Sequence, residues 1–377
     1  MSTQHAKHFS ASASSRWLNC TASVQLYAER KETEDKGSIY AQEGTRAHEV
    51  ADLCLCNDRA ADYYIGHDIE EGVVTKDMTD YVQEYLDYVQ AFQTSTTMLF
   101  PEQQVDYSDY VPDGFGTSDA IIIDTSDHTC HIFDLKYGKG VSVDAKDNTQ
   151  AQLYALGVIS DYGFIHPIEN VVIHIVQPRT GNYSYWERTP EQLHEFGKFA
   201  QLKAEEAFSD DAQYKPSDKA CQWCKFKGVC KALLEHTHNV ISQEFTDLTE
   251  DHQQISTMSD DELRLVHTNA KLIRGFLDAV ESHIKHQLEA GQTFTGYKLV
   301  EGRSIRKLTS EATTKLKDNP DCWENKLLTL GKLEKLFGKK DFAALDITSK
   351  PPGKPTVVPE SDKRKSIDVT QDFEKIN

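Results

Sequence analysis

Two acidic residues and a lysine occur in neighbouring strand-like segments of the chain. GTSDAIII places Asp119 at the beginning of one apolar run, and HIFDLKYGKG places Asp134 and Lys136 in the next. Residues two apart in a strand project to the same face, so the side chains of Asp134 and Lys136 should reach one site. Carboxylates bind Mg²⁺ or Mn²⁺, and a nearby cation can orient water and stabilise charge on a phosphate. This set therefore suits metal-dependent hydrolysis of phosphodiesters.

An isolated Asp-x-Lys is more often an ordinary ion pair at a strand end. The interpretation as a hydrolytic site therefore depends on further polar residues elsewhere in the chain. The segment Gly44-Thr45-Arg46-Ala47-His48 puts His48 on a predicted helix, where a neutral imidazole could be another metal ligand. Gln150 and Tyr154 are four residues apart on a second predicted helix and share one face. Both can hydrogen-bond a scissile phosphate or a catalytic carboxylate.

The cysteines form a second group with a chemical pattern. Cys221, Cys224 and Cys230 supply three thiols within ten residues, one too few for a closed tetrahedral metal site. Without a predicted secretory signal, the eight cysteines favour reduced thiols or a metal site over disulfides. The remaining cysteines outside a site are expected to be plain buried or partly buried residues, namely Cys54, Cys56, Cys130 and Cys322. Scattered surface positions are expected for His5, His8, His128 and His131.

The motifs G-x-x-D, D-x-K and Q-x-x-x-Y, preceded by G-T-x-x-H, resemble the ordered motif set of RecB-type nucleases in the PD-(D/E)XK superfamily. The resemblance covers about residues 10–235 and implies an α/β fold, a mixed central sheet flanked by helices. Past about residue 240 the sequence pattern is mostly helical and predicts a mainly helical C-terminal domain. It implies that Mg²⁺ or Mn²⁺ is bound by His48, Asp119, Asp134 and the Leu135 carbonyl. Lys136 would be the catalytic lysine, and Gln150 and Tyr154 would support the substrate. This chain has Asp134 where many relatives use Glu, and the superfamily pattern allows either acid.

Two more metal assignments follow from the same resemblance. Glu102, on the strand before Asp119, is added as a metal ligand, although a solvated strand carboxylate explains it equally well. RecB-type nucleases of the AddB kind carry one cysteine before the nuclease core and three after it, and these bind a [4Fe-4S] cluster. By this resemblance Cys20 joins Cys221, Cys224 and Cys230 as the fourth ligand. Zinc is the alternative occupant, because four thiolates also suit it.

A closer resemblance runs nearly the full length of the chain. SASSRWLNC, DLKYGKG, LGKLEKLFGKKDFAAL and KPPGKPTVVPESDKR resemble an uncharacterised family of phage and prophage proteins encoded near recombination genes. It implies a metal-dependent deoxyribonuclease in the bacterial cytoplasm, expected to be an exonuclease on linear DNA. A phage single-strand annealing protein is an implied partner, and the oligomeric state is open. The alternative is a non-catalytic DNA-binding or scaffold protein that keeps the nuclease fold and cluster.

Periodicity predicts the elements that must position these residues. Helices are predicted near residues 10–30, 44–55, 78–93, 147–161, 190–208 and 260–291. Strands are predicted in FPEQQVDYS, SDAIIIDT, TCHIFDLKYG and NVVIHIVQP, because these runs are β-branched or aromatic and are bounded by Gly, Asp and Pro. The order of helix, three strands, helix and strand indicates a mixed α/β layer arrangement.

Charge and length complete the sequence-based account. With 41 basic and 60 acidic residues the chain has a net charge of −19, which argues against non-specific coating of nucleic acid. From Lys298 to Lys340, however, 11 basic residues stand against 6 acidic ones, and Lys339 and Lys340 are candidate DNA contacts or part of a solvated surface. We predict a nuclease domain at 1–240, a helical domain at 241–349 and an extended tail at 350–377. No membrane segment is predicted.

Overall fold

The structure is a computed structural model of the 377-residue chain. It describes residues 6, 8–29, 39–70, 72–242, 260–301, 307–309, 311–317, 319–322, 333, 337, 339–349, 355–359 and 364–367. Among these residues, none of the helices combines the length and apolar character that a membrane-spanning segment requires.

A five-stranded mixed sheet forms the centre of the N-terminal part. Its strands are β3 (Thr97–Asp106), β4 (Phe115–Asp124), β5 (Thr129–Leu135), β6 (Asn170–Gln177) and β7 (Asn182–Arg188), hydrogen-bonded in that order. They follow a short hairpin of β1 (Asp68–Ile69) and β2 (Gly72–Val73). Neighbouring strands of the large sheet are antiparallel except β5 and β6, which are parallel. The parallel pair requires a crossover connection, and a helix supplies it.

Helices cover both faces of this sheet and bury its apolar side chains. The helices of this part are α1 (Ser14–Trp17), α2 (Ser23–Glu29), α3 (Ile39–Asn57), α4 (Lys76–Gln90), α5 (Thr149–Tyr162), α6 (Pro190–Ala207), α7 (Asp218–Cys221) and α8 (Lys231–Ser242). Ile121 and Ile132 on one face pack with α1, α5 and α6, whereas Ile122 and Phe133 on the other pack with α3 and α4. Alternation along the strands therefore creates two cores, one on each side of the sheet. The expectation of a mixed α/β sheet flanked by helices is confirmed.

The predicted helix over residues 10–30 is wrong as a single element. The segment forms a 3₁₀ turn followed by α1 and α2, with a break between the last two. At the break the Ala22 N–H donates to the Gln213 carbonyl at 3.2 Å instead of continuing a helix. Buried Arg16 donates to Ser23 Oγ at 2.8 Å and lies over the Tyr27 ring. These tertiary contacts outweigh local helical periodicity.

Edge strand β7 was not predicted from the sequence. Its residues, NYSYWER, are polar and aromatic, every second side chain is exposed because alternate side chains point to opposite faces, and the strand pairs with β6. An edge strand needs no continuous apolar run, so the hydrophobic signal used for the inner strands is weak here. At the other edge β3 accommodates Pro101, a residue that sheets tolerate on edge strands.

The chain divides into two compact units. One contains the described residues of Met1–Lys225 and Lys231–Leu272, and the other contains those of Phe226–Cys230 and Ile273–Asn377. The long helix α9 (Asp260–Glu289) runs from the first into the second. The predicted boundary at residue 240 stays a prediction.

The second unit contains short strands besides helices. Its described elements after α9 are β8 (Tyr297–Glu301), β9 (Lys307–Leu308), α10 (Ala312–Lys315), α11 (Lys339–Ala344), β10 (Thr348–Ser349) and β11 (Pro355–Pro359). Strand β11 pairs antiparallel with β8 along its whole length. Residues 355–359 are therefore an extended strand paired within this unit, and the extended tail over 350–377 stays a prediction.

Two neighbouring histidines, His131 on β5 and His174 on β6, lie on the sheet face that α4 covers. His174 on β6 lies with Nε2 3.0 Å from His131 Nδ1 and Nδ1 3.1 Å from the Tyr88 hydroxyl, and its ring stacks on Phe133. Burial, with a smaller contribution from His131, lowers the pKa of His174 to about 3. The prediction of a scattered surface position is wrong for His131, which is part of this network.

This network predicts how acid affects stability. Because folded His174 stays neutral while an unfolded histidine is protonated below about pH 6.5, the unfolded chain binds more protons as the pH falls. The free energy of unfolding should fall by up to about 1.4 kcal/mol per pH unit from this group alone, from about pH 6.5 towards pH 3. Denaturant titrations of wild type and His174→Gln should show a flatter pH dependence for the variant. His67→Gln, at an exposed position, is the control, and parallel curves for wild type and His174→Gln would contradict the interpretation.

Candidate active site

The residues of all four sequence motifs lie together around the end of β5 in the central sheet. Asp119 lies on β4, Asp134 is the penultimate residue of β5, and Lys136 follows the end of β5. The Lys136 N–H donates to the Val176 carbonyl at 2.8 Å, which extends the β5–β6 ladder past the strand end and fixes the lysine backbone. Helices α3 and α5 add His48 and the Gln150–Tyr154 pair.

Asp119 is held through both carboxylate oxygens. His48 Nδ1 lies 3.0 Å from Asp119 Oδ1, and the Leu135 N–H donates to Asp119 Oδ2 at 2.6 Å. The first contact connects α3 to the sheet, and the second connects the neighbouring strand to the same carboxylate. His48, Asp119 and Leu135 are therefore brought together as predicted, and the Leu135 contact shown is through its N–H.

Asp134, Lys136, Gln150 and Tyr154 form a continuous polar chain. Lys136 Nζ lies 2.7 Å from Asp134 Oδ2 and donates to Gln150 Oε1 at 3.2 Å. Gln150 Nε2 donates to the Tyr154 hydroxyl at 3.0 Å. A side chain on Gly116 would place its Cβ 2.6 Å from Tyr154 Cε1, so the glycine of the G-x-x-D motif makes room for the tyrosine ring.

The His48–Asp119 contact is electrostatically an ion pair. Burial opposes the charged form of His48, but the Asp119 carboxylate outweighs it and raises the imidazole pKa above its ordinary value. Burial likewise opposes the charged form of Asp119, yet His48, Lys136 and the Leu135 N–H together lower the Asp119 pKa. Each group therefore stabilises the charged form of the other.

Asp134 and Lys136 experience opposing influences. Burial raises the pKa of Asp134 and the negative charge of Asp119 adds to this, although Lys136 pulls it down. For Lys136, burial lowers the pKa, but Asp134 and Asp119 reverse the effect and raise it. Lys136 is therefore protonated at neutral pH and supplies a fixed positive charge beside two carboxylates.

Glu102 belongs to the same acidic environment. The β3–β4 register pairs Pro101 with Ala120 and Gln103 with Ser118, so Glu102 falls opposite Asp119. The backbone at Glu102 has a φ of 41°, a left-handed conformation that non-glycine residues seldom adopt. Burial, then Asp119, raises the pKa of Glu102 to about 7. It is therefore half-buried beside Asp119 instead of being a solvated strand carboxylate.

Sequence reasoning missed two carboxylates and a tyrosine that act on this site. Asp52 and Glu49 on α3 both contribute to the raised pKa of Glu102. Asp52 lies four residues after His48, and this helical spacing was the signal that could have identified it. Tyr85 on α4 is buried, and its pKa is raised well above the ordinary value by burial and by Asp119, Asp134 and Glu102.

The donor set fits a hard divalent cation. Asp134 Oδ2 and the Tyr85 hydroxyl are buried without a hydrogen-bond partner among the described residues, and the 2.7 Å contact from Lys136 is an ion pair without hydrogen-bond angles. Buried acceptors of this kind next to other carboxylates suit Mg²⁺ or Mn²⁺. Within the described part of the chain, no three His, Cys, Asp or Glu side chains are grouped so as to hold an ion. In this structure the nearest basic groups to the two carboxylates are His48, 3.0 Å from Asp119, and Lys136, 2.7 Å from Asp134.

Three of the four predicted cluster cysteines belong to connected segments of the first unit. Cys20 Sγ accepts from the Lys215 N–H at 3.4 Å, and α1 packs against α7, which ends at Cys221. The Tyr27 hydroxyl accepts from the Lys225 N–H at 2.7 Å, and burial followed by the neighbouring Cys224 raises the Tyr27 pKa to about 12. Thiol donors suit an iron–sulfur cluster or zinc.

The remaining predicted site residues and cysteines differ in where the structure places them. Cys230 belongs to the second unit, so its place beside the other three cysteines stays a prediction. The backbone of Lys339 and Lys340 begins α11, but their side chains lie outside the described residues. His5 also lies outside them. Cys54, Cys130 and Cys322 are buried as expected, whereas Cys56 is exposed, which corrects its prediction.

The chain matches a protein-family model and is similar to solved structures. A family model described as "Protein of unknown function (DUF2800)" matches residues 5–365. Among solved structures, the chain is similar to one titled "Crystal structure of SSO0001", with 15% identity and a TM-score of 0.22, over 57% of this chain and 95% of that one. Because the family model matches nearly the whole sequence, the protein belongs to the DUF2800 family, whose function is unknown.

Proposed function

We propose that this protein is a metal-dependent DNA nuclease with a PD-(D/E)XK core. The observation that carries the proposal is the convergence of His48, Asp119, Asp134, Lys136 and the Gln150–Tyr154 pair at one edge of the sheet. These residues come from α3, β4, the end of β5 and α5, so their proximity is a property of the fold. A surface ion pair alone would not recruit a histidine, a second carboxylate and a glutamine–tyrosine pair.

The proposed metal ligands are His48, Asp119, Asp134, the Leu135 carbonyl and Glu102. A divalent cation bound there would supply Lewis-acid stabilisation of the charge that develops on a phosphate. A bound cation would also favour the charged forms of Asp134 and Glu102, whose pKa values are raised first by burial and further by the neighbouring Asp119 carboxylate.

Lys136 and the α5 residues have separate roles in this proposal. The protonated Lys136 ammonium would donate hydrogen bonds to a non-bridging phosphate oxygen and help to orient the attacking water. Gln150 holds Lys136 through its Oε1 and is itself held by Tyr154, so the pair fixes the direction of the ammonium group. A rigid donor costs less reorganisation when charge develops on the phosphate.

The DNA substrate, exonucleolytic action on linear ends, a phage setting and a single-strand annealing partner are supported by the sequence resemblance. The [4Fe-4S] cluster on Cys20, Cys221, Cys224 and Cys230 is likewise a proposal, with zinc as the alternative. It would connect the start of the nuclease domain to its end, a loop closure spanning about 200 residues.

The nuclease proposal is tested with end-labelled linear duplex DNA and a closed circle, using anaerobically purified protein with Mg²⁺ or Mn²⁺. We expect loss of the linear DNA alone, and a reduction of at least about a hundredfold in Lys136→Ala, because the variant lacks the charge aimed at the phosphate. Lys76→Ala is the matched control, since Lys76 is exposed and pairs with Asp80 on the same helix, α4. It should cleave like wild type.

Three results would contradict parts of this account. Full activity of Lys136→Ala would exclude its proposed role, and cleavage of the circle would make the protein an endonuclease. Absence of cleavage by folded, cluster-loaded wild type would favour the non-catalytic DNA-binding or scaffold alternative.

The cluster proposal predicts a structural effect of Cys224→Ser. Removal of one thiolate should give poorly folded protein without the visible absorption of an iron–sulfur cluster, because the cluster no longer connects the chain segments that bind it. Cys56→Ser, at an exposed position, should keep both the fold and the absorption. Iron, sulfide and zinc analysis of wild type separates the two candidate occupants. A soluble, colourless Cys224→Ser protein with full nuclease activity would refute the structural role.

A further inference from the structure

The loop that follows Lys136 is exposed and has no role in the site described above. It comprises residues 138–143 and contains Gly138, Lys139 and Gly140, all three exposed. Lys139 makes no hydrogen bond or ion pair with another described residue. The loop begins two residues after Lys136, so Gly138 is close along the chain to the candidate site.

The side chain of buried Gln177 hydrogen-bonds the backbone of this loop. Gln177, at the end of β6, donates from Nε2 to the carbonyls of Gly138 at 2.7 Å and Val141 at 2.9 Å. Its Oε1 accepts from the Val143 N–H at 3.4 Å and from Asn182 Nδ2 at 3.2 Å. Asn182 Nδ2 also donates to the Val143 carbonyl at 2.7 Å. The side-chain amide therefore satisfies backbone groups along the whole loop.

The two glycines have no structural requirement in the protein itself. Neither has a left-handed φ, and a Cβ on either would meet no atom within 4 Å. Gly157 is different, because a Cβ there would lie 2.8 Å from Val105 Cβ. Glycine is also used where a ligand approaches the backbone closely, and this reason remains for Gly138 and Gly140.

We propose that the loop 138–143 binds a phosphate of the DNA backbone next to the scissile one, with Gly138 and Gly140 allowing close approach and Lys139 supplying charge. Gln177 is the positioning residue of this loop. The inference rests on the proposed DNA substrate but concerns a binding site outside the metal and lysine cluster. An anion is the ligand that suits the loop, because its one charged side chain is a lysine.

Gly138→Ala and Gly140→Ala test the close approach without disturbing the fold. The added methyl groups enter open space, so the unfolding midpoint should stay the same or rise. Affinity for end-labelled duplex DNA, measured in EDTA so that no cleavage occurs, should fall about tenfold in the double variant. Gly275→Ala on α9 is the matched control, since its Cβ also meets no atom within 4 Å, and its affinity should match wild type.

Lys139→Gln and Gln177→Glu separate charge from positioning. Loss of one phosphate contact in Lys139→Gln should reduce the slope of log affinity against log salt by about 0.9 on duplex DNA. Gln177→Glu loses the two donated bonds to the loop, so KM for DNA should rise more than kcat falls. A purely structural role for Gln177 would lower the unfolding midpoint and leave the salt slope unchanged.

The outcomes distinguish this inference from the proposed nuclease function. If wild type binds and cleaves DNA while the glycine variants bind equally well, the loop site is excluded and the nuclease stands. If wild type binds without cleaving and the variants bind weakly, the loop site stands and the nuclease is excluded. Absence of any DNA binding by wild type overturns both.

Discussion

The two carboxylates on inner strands of the sheet, buried Asp134 and partly buried Asp119, are the constraint on which the rest of this structure depends. Charged groups are costly to bury unless they are paired, so Asp119 and Asp134 require compensating charge close by. His48 and Lys136 supply it at 3.0 and 2.7 Å. The first of these contacts requires α3 to lie against β4, and the second requires the residue after β5 to remain in register with β6. The positions of α3 and of the end of β5 therefore provide the compensating groups that the two acids require.

The sheet topology explains how a short polar chain can form. Strands β5 and β6 are parallel, so the chain must cross over between them, and α5 is that crossover. Its first two turns carry Gln150 and Tyr154, which reach back to Lys136. Gly116 on β4 leaves space for the Tyr154 ring. Close packing and the Lys136–Gln150–Tyr154 chain thus depend on the same glycine, and any side chain there would displace the tyrosine that holds Gln150.

Much of the site was predictable because its residues follow local rules. Period-two spacing placed Asp134 and Lys136 on one side, and helical spacing joined Gln150 to Tyr154. The sequence-based predictions that were wrong or incomplete concern features that depend on long-range pairing. Strand β7 lacks an apolar signal, and residues 10–30 leave the helix to contact distant backbone. Spacing within a segment cannot specify contacts whose partners lie many residues away.

The central claim is that the two buried carboxylates form a cation site. The most direct measurement is a calorimetric titration of Mn²⁺ into wild type and Asp134→Asn, with Asp80→Asn as an exposed control. The account predicts saturable binding to wild type and the control, and its loss in Asp134→Asn, because one of the two negative charges is removed. Equal binding by all three proteins, or none by folded wild type, would contradict it.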